Sequence, residues 1–286
     1  MRFLVTNDDG IDSVFLHELV HALHAAGHEL TVVAPKAEQS WIGAAKSRNR
    51  AVSSERIDCR AGSPNPAGLA DVKMTAGLGD PARQKYHFGC PTWIVDGTPS
   101  DCVNIALAHL VDGKPDAVVS GINLGLNTSL CFILASGTIA GAWEGALHGL
   151  PGVALSQDLT FEVYDHLKYA GGVPDAALLA TLRISATHAA RLVPGLVAAT
   201  APQSFVVHNL NFPYPCLADS ALRRTVPARV VAPGLFGPAA DDGTHRMIFK
   251  FGDDLSPAEP LTDRTALATG FISHTVLDYT RLGRTP

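Results

Sequence analysis

Within its first thirty-five residues the chain spells strand, helix, strand, and both strands read as unbroken apolar runs. Phe3 to Thr6 is a short β-type run stopped by Asn7-Asp8-Asp9-Gly10. Leu16, Leu19, Val20 and Leu23 then recur on one helical face, Gly27 closes that helix, and Leu30 to Ala34 is a second strand. A strand that is apolar on both faces needs cover on both sides, which is the condition of a parallel sheet. The rhythm returns later. Thr98-Pro99-Ser100-Asp101 starts a helix, Asp116 to Val119 is a strand, and Ile139, Ala142, Trp143, Ala146 and Leu147 form a helical stripe ended by Pro151. Val153 to Ser156 resumes the sheet, Asp175 to Leu192 reads as a helix, and Phe205 to Phe212 as a strand. The fold class is α/β, a mostly parallel sheet flanked by helices.

Two stretches break the pattern: Arg56 to Gly89, rich in Gly, Pro and short polar residues, and Val231 to Pro260, where Pro and Gly surround a β-like Arg246 to Phe251. Neither carries enough apolar periodicity for a core of its own, so residues 1–286 are read as a single domain with 231–260 protruding from it. At 47% hydrophobic and 17% charged residues the chain can bury enough apolar surface to order itself. The formal charge of −5 argues against duplex nucleic acid or an anionic membrane as a partner. The five cysteines lack C-x-x-C spacing, and Met1-Arg2 precedes only a short apolar run, so a soluble cytoplasmic protein without disulfides or structural zinc is expected.

In an open parallel sheet ligands bind beyond the carboxyl ends of the strands, where Asp8 and Asp9 lie. Adjacent carboxylates persist when they are solvated, protonated or neutralised by a cation, and a hard divalent metal takes such oxygens. Helix capping and turn formation explain the same two residues equally well. After a later strand comes Ser120-Gly121-Ile122-Asn123-Leu124-Gly125-Leu126-Asn127, with glycines for close backbone approach and amides to offer. Ser136-Gly137-Thr138 opens the Ile139 helix, where unbonded N–H groups favour an anion, although an ordinary cap uses the same residues. Together these features point to metal-assisted phosphate chemistry.

Asn7-Asp8-Asp9-Gly10, Ala34-Pro35 followed by Ser40, Gly97-Thr98-Pro99-Ser100-Asp101-Cys102-Val103, Ser120 to Asn127, Ser136-Gly137-Thr138 with Glu144-Gly145, Asn209-Leu210-Asn211-Phe212-Pro213, Leu261-Thr262-Asp263 and Gly270-Phe271-Ile272-Ser273 occur in that order. In this the chain resembles the SurE survival-protein family, divalent-metal-dependent nucleotidases with a Rossmann-like core. The resemblance implies a phosphomonoesterase that hydrolyses nucleoside monophosphates (5′/3′-nucleotidase) with one Mg2+ or Mn2+ per subunit. It assigns Asp8, Asp9, Ser40 and Asn123 to the metal, and Asn127, Ser136, Gly137 and Thr138 to the substrate phosphate. Asp9 or Asp8 would accept the proton of an attacking water. It also implies a homodimer or homotetramer built by the segment around Arg246 to Phe251.

The chain departs from that family's pattern at the rim. Ser13-Val14-Phe15 and Trp41 replace small residues, and Thr128 to Leu134, followed by Ala135, replaces a Gly- and acid-containing loop. Added apolar lining favours an apolar or stackable substrate group, so a specialised phosphatase for another phosphorylated small molecule is the alternative, with an inactive phosphate-binding relative beside it. A remote reading is a zinc peptidase, because His17-Glu18-Leu19-Val20-His21 matches H-E-x-x-H. A solvated stripe of His17, His21, His24 and His28, with Glu18 turned from the core, explains that pattern without metal. Lys46, Arg48 and Arg50 read as a solvated charged loop, Trp143 as core, and His208 and His274 receive no role.

Overall fold

The computed structural model describes residues 1–57, 88–168, 173–248 and 252–282. The central strands are β1 (Arg2–Thr6), β2 (Glu29–Pro35), β4 (Thr92–Val95), β5 (Ala117–Leu124), β6 (Gly152–Gln157) and β7 (Val206–Phe212), all parallel to one another. The edges are mixed. β3 (Ser54–Ile57) runs antiparallel to β4, β9 (Ile272–Asp278) antiparallel to β7, and β8 (Leu222–Thr225) parallel to β9. The order β3-β4-β2-β1-β5-β6-β7-β9-β8 shows the chain winding outward from β1 through β2 and β4, then returning to place β5 on the other side of β1. That reversal opens a crevice beyond the carboxyl ends of β1 and β5, the location where doubly wound sheets bind ligands.

Alternation along each strand divides the core between the two faces. Phe3, Val5, Val32, Ala34, Ala117 and Val119 join α1 (Val14–Ala25) and α6 (Ala176–Ala198) on one side, while Leu4, Val33 and Val118 meet α2 (Pro99–Ile105) on the other. Thr98 and Asp101 form a reciprocal cap at the start of α2, as their spacing predicts: Asp101 N–H donates to Thr98 Oγ1 at 3.1 Å, and Thr98 N–H to Asp101 Oδ2 at 2.9 Å. Gly137, Gly141 and Gly145 recur every four residues in α4 (Gly137–Leu147) and bring it against Asp8, Ser120 and Val118 in turn; a Cβ at Gly145 would stand 2.5 Å from Val118 Cγ2. In that helix Leu147 of the expected stripe is exposed, and Trp143 is half-buried, stacked on Tyr279 with ring centroids 3.7 Å apart.

Several elements differ from the sequence expectation. The helix from Asp175 continues through Pro194 to Ala198. Thr128 to Ala135, read as a loop, contains helix α3 (Ser129–Ala135). The helices α5 (Phe161–Lys168) and α7 (Asp263–Ala268), the short β4 and β8 and the seven-residue β9 were not anticipated. Of the Arg56 to Gly89 excursion, residues 58–87 lie outside the described residues, and Ile57 ends β3. The protruding stretch is exposed along 231–248 apart from two positions, with bridges Val230 to Asp254 and Phe236 to Met247; residues 249–251 of its β-like core lie outside the described residues. Among the described residues no single helix is long and apolar enough to cross a membrane.

The histidine stripe of α1 is a correction. His17 and Glu18 are buried, at 4% and 5% exposure, Glu18 under α6 and His17 against Ile11 and Phe88. His17 Nε2 lies 3.1 Å from the Ile11 carbonyl oxygen with the ring edge-on to Phe88, and Glu18 pairs with Arg183 at 3.1 Å. His17 and Glu18 of the H-E-x-x-H pattern are thus committed to packing, and His21 alone of the three is exposed. Lys46 is a second correction: its ammonium forms a 2.7 Å ion pair with the buried Glu144.

Candidate active site

The turn after β1 is shaped by its own residues. Asn7 donates Nδ2 to the Gly10 carbonyl at 2.8 Å, and Gly10 takes φ +92° as the chain passes beneath Ala37 and Glu38. Asp8 and Asp9 are thereby held at the crevice. Asp8, 4% exposed, accepts a hydrogen bond from Thr138 Oγ1 at 2.6 Å. Burial and the neighbouring Asp9 charge push its carboxyl up to about 7. Burial also raises the Asp9 carboxyl, against the opposing pull of Lys168 and of the Leu124 N–H, which donates to it at 2.7 Å.

Thr138 belongs to the first turn of α4, whose N-cap is Ser136; the Ser136 Oγ accepts from Ile139 N–H at 3.1 Å. The hydroxyl is therefore used as a cap, and the helix start still directs the first-turn N–H groups outward. Gly137 is required by closeness: a Cβ there would stand 2.8 Å from Asp8 Cβ and 3.0 Å from its Oδ2. Asn127 spends both side-chain hydrogens on Thr138 Oγ1 (3.3 Å) and Ser156 Oγ (2.9 Å), and its backbone is clamped by Asn209 and Asn211. Its contribution is positioning as much as contact. Asn123 donates Nδ2 to the Gly125 carbonyl at 2.7 Å, which leaves Oδ1 as its oxygen for a cation.

Asp8, Ser40, Asn123, Asn127 and Ser136 line one cavity of about 310 Å³, and Asp9, Gly137 and Thr138 join it through the contacts above. All eight residues singled out by the sequence converge there. Trp41 and Phe132 stand edge to face in its wall, ring centroids 5.4 Å apart, with Phe161 and Tyr164 of α5 also lining it. Sequence reasoning missed four charged members: Asp158 and Arg264 line the cavity, and Lys168 and Glu38 meet at its acidic end. Lys168 donates to Asp9 Oδ1 at 3.3 Å, Ser40 Oγ at 3.3 Å and Glu38 Oε1 at 2.5 Å. Burial works against the Lys168 charge, but Asp9 and Glu38 outweigh it and hold its pKa above the ordinary lysine range. The one available signal was spacing, since Phe161, Tyr164 and Lys168 fall on a single helical face.

The corner fits a hard divalent cation. Its donor set is all oxygen, two carboxylates, a hydroxyl and an amide, and the buried Asp8 makes no ion pair with the Lys168 ammonium. Among the described residues no group of three or more His, Cys, Asp or Glu side chains is arranged to hold a metal, so a metal here depends on the Ser40 and Asn123 oxygens.

The fold and crevice define a class: an α/β sheet protein with an acidic corner facing a helix start at its topological switch point. The pattern of the family described as Survival protein SurE matches residues 3–232, and the chain belongs to that family. It is similar to 5′-nucleotidase SurE from Synechococcus elongatus (39% identical over 156 residues, 54% of this chain and 50% of that one). The proteins of the same name from Solidesulfovibrio magneticus (39% over 177 residues, 61% and 57%) and Maridesulfovibrio salexigens (42% over 158 residues, 55% and 51%) are also similar. The chain thus spans about half the length of the curated relatives it matches. The SurE protein of Aquifex aeolicus shares the fold, with a TM-score of 0.66 at 24% identity over 99% of this chain and 97% of that one.

Proposed function

We propose that the chain is a divalent-metal-dependent phosphomonoesterase that hydrolyses nucleoside monophosphates, at the 5′ or 3′ position, to nucleoside and phosphate. The observation that carries this reading is the buried Asp8–Asp9 pair tied by Thr138 to the start of α4, in a crevice large enough for a small phosphate ester. Relatives named 5′-nucleotidase SurE support the substrate class. Asp8, Asp9, Ser40 and Asn123 would hold the cation, which when bound polarises a phosphoryl oxygen and acidifies a water. First-turn N–H groups of Gly137 and Thr138 stabilise charge on the equatorial oxygens, and Asn127 and Ser136 orient the phosphate. One carboxylate of the pair accepts the proton of the attacking water, which is in line with the leaving oxygen. The setting is cytoplasmic, in a homodimer or homotetramer assembled through 231–260, where Phe236, Met247, Ile248 and Leu255 are exposed.

The Trp41 and Phe132 rings favour a second reading of the substrate, a phosphorylated small molecule whose flat or apolar group is not a nucleoside. Both are tested by phosphate release from a panel of nucleotides and other phosphomonoesters with Mn2+ or Mg2+, with and without chelator, comparing wild type with Asp9→Asn. Chelator-sensitive release lost in the folded variant supports the reading. Release indifferent to chelator and to Asp9 overturns it.

A further inference from the structure

Lys168 is the last residue of α5, and its side chain is only 13% exposed. Positions 161, 164 and 168 run along one face of that helix; Phe161 and Tyr164 wall the cavity, and the third delivers an ammonium to its acidic end. The three acceptors of Nζ are Asp9 Oδ1, Ser40 Oγ and Glu38 Oε1. Two of these oxygens belong to the proposed cation ligands. Glu38 is the third, and its side chain is 48% exposed, so it sits at the rim where it could retain the lysine alone.

An ammonium and a divalent cation compete for Asp9 Oδ1 and Ser40 Oγ. A cation draws its oxygens to about 2.0–2.6 Å, which would bring it within repulsive range of a positive charge already bonded to those atoms. We propose that Lys168 is the built-in counter-ion of the metal-free corner, and that loading of a divalent cation displaces its ammonium from Asp9 and Ser40 and leaves it on Glu38. The proposal rests on the metal-dependent reading above and adds to it a residue that sets the affinity for the metal.

The test is a calorimetric titration of chelator-stripped protein with Mn2+, comparing wild type, Lys168→Met and Lys168→Gln. Lys36→Met, which removes an exposed charge near the end of β2, controls for the general field of the protein. Direct competition predicts that both Lys168 variants bind Mn2+ roughly tenfold tighter or more, while Lys36→Met changes affinity by no more than about twofold. The metal-free Lys168 variants should also melt lower than wild type and gain more on adding Mn2+. In the unmutated protein, Mn2+ should raise acylation of the Lys168 amine by acetic anhydride relative to Lys36, read by peptide mass mapping. Equal or weaker Mn2+ binding in folded Lys168 variants, or acylation indifferent to Mn2+, overturns the proposal. If neither wild type nor variant binds Mn2+, the metal-dependent reading fails and the proposal fails with it. Mn2+ binding by wild type that is lost in Asp9→Asn keeps the two outcomes separate.

Discussion

Thr138 gives its hydroxyl hydrogen to Asp8 at 2.6 Å, so the first turn of α4 and the end of β1 are fixed to each other through one short bond between residues 130 positions apart. Asn127 donates to the same hydroxyl oxygen, which sets the direction of that hydrogen. Replacing Thr138 by Val keeps the shape and removes the bond. Outer partners of metal-binding carboxylates are typically worth 10–100-fold in affinity or turnover, so Thr138→Val should lower phosphate release by about that range with the fold intact. Steady-state assays alongside a Mn2+ titration check this; unchanged values for both would show Thr138 to be a bystander.

Gly137→Ala is a more severe probe of the same junction. Gly137 is the first residue of α4 and does not have a left-handed φ, so the backbone accepts alanine, yet its Cβ would meet Asp8 Cβ at 2.8 Å. The variant should keep a thermal midpoint near wild type while losing roughly a hundredfold in turnover, since displacing a reacting group by about an ångström has that cost. Calorimetry and phosphate release, measured on one sample, separate the two effects.

His208 and His274 face each other across β7 and β9, with Nδ1 and Nε2 2.9 Å apart. Thr200 donates its hydroxyl to Leu196 and therefore accepts from His208 Nε2, which makes His208 Nδ1 the acceptor of the His274 N–H. Burial, with Arg224 nearby, lowers the His208 pKa from 6.5 to about 4, and burial with His208 and Arg224 does the same to His274. The unfolded chain therefore binds more protons between these values, and stability should fall as pH drops from about 6.5 towards 4. Asp8 pulls the opposite way between 3.8 and about 7, because its folded carboxyl keeps a proton that the unfolded one has lost. The diagnostic is consequently a difference: His208→Gln should show a shallower loss of stability on acidification than wild type in urea melts at matched pH.

His17→Ala separates packing from zinc chemistry. The side chain touches the Ile11 carbonyl and Phe88 inside the α1 interface, so its removal should cost about 1–3 kcal/mol in denaturant unfolding and leave phosphate release largely unchanged. Peptide cleavage that depends on zinc and disappears in this variant would restore the peptidase reading.

The legible parts of the molecule were those whose physics is local. The strands β1, β2 and β6 and the first half of β5 announce themselves as apolar runs because both faces are covered, and the Thr98 cap and the Ser136 helix start follow from residue types at fixed offsets. Asp8 and Asp9, the Asn123–Asn127 stretch and the Ser136 helix start lie where strand order alone sets them beside a crevice, whereas Ser40, in the loop after β2, was reached only through the family resemblance. Glu18 was misjudged because a helical wheel drawn for α1 cannot include α6, which covers its second face. Helix α5 was silent for a related reason: Leu167 is its only buried residue, so it carries no apolar stripe. Its identity comes from leaning Phe161, Tyr164 and Lys168 into a cavity made by other segments.

The cavity wall yields the last prediction. Trp41 adopts φ +62° and stands edge-on to Phe132, at a point where both rings border the space beside Asp8 and Ser40. An aromatic pair adds about 0.5–1.5 kcal/mol beyond burial when a flat group joins it, which corresponds to roughly a twofold to tenfold change in an equilibrium constant. Phe132→Ala should therefore raise KM for nucleoside or aryl phosphates by about that factor and barely affect a small aliphatic phosphate, with kcat retained because the carboxylate corner is untouched. Phe132 is the better first target, since the positive φ at Trp41 means that its replacement also alters the local backbone preference. Equal KM changes for flat and aliphatic esters would mean that the rings shape the entrance without contacting the substrate, and selectivity would then have to arise from the α5 side of the cavity.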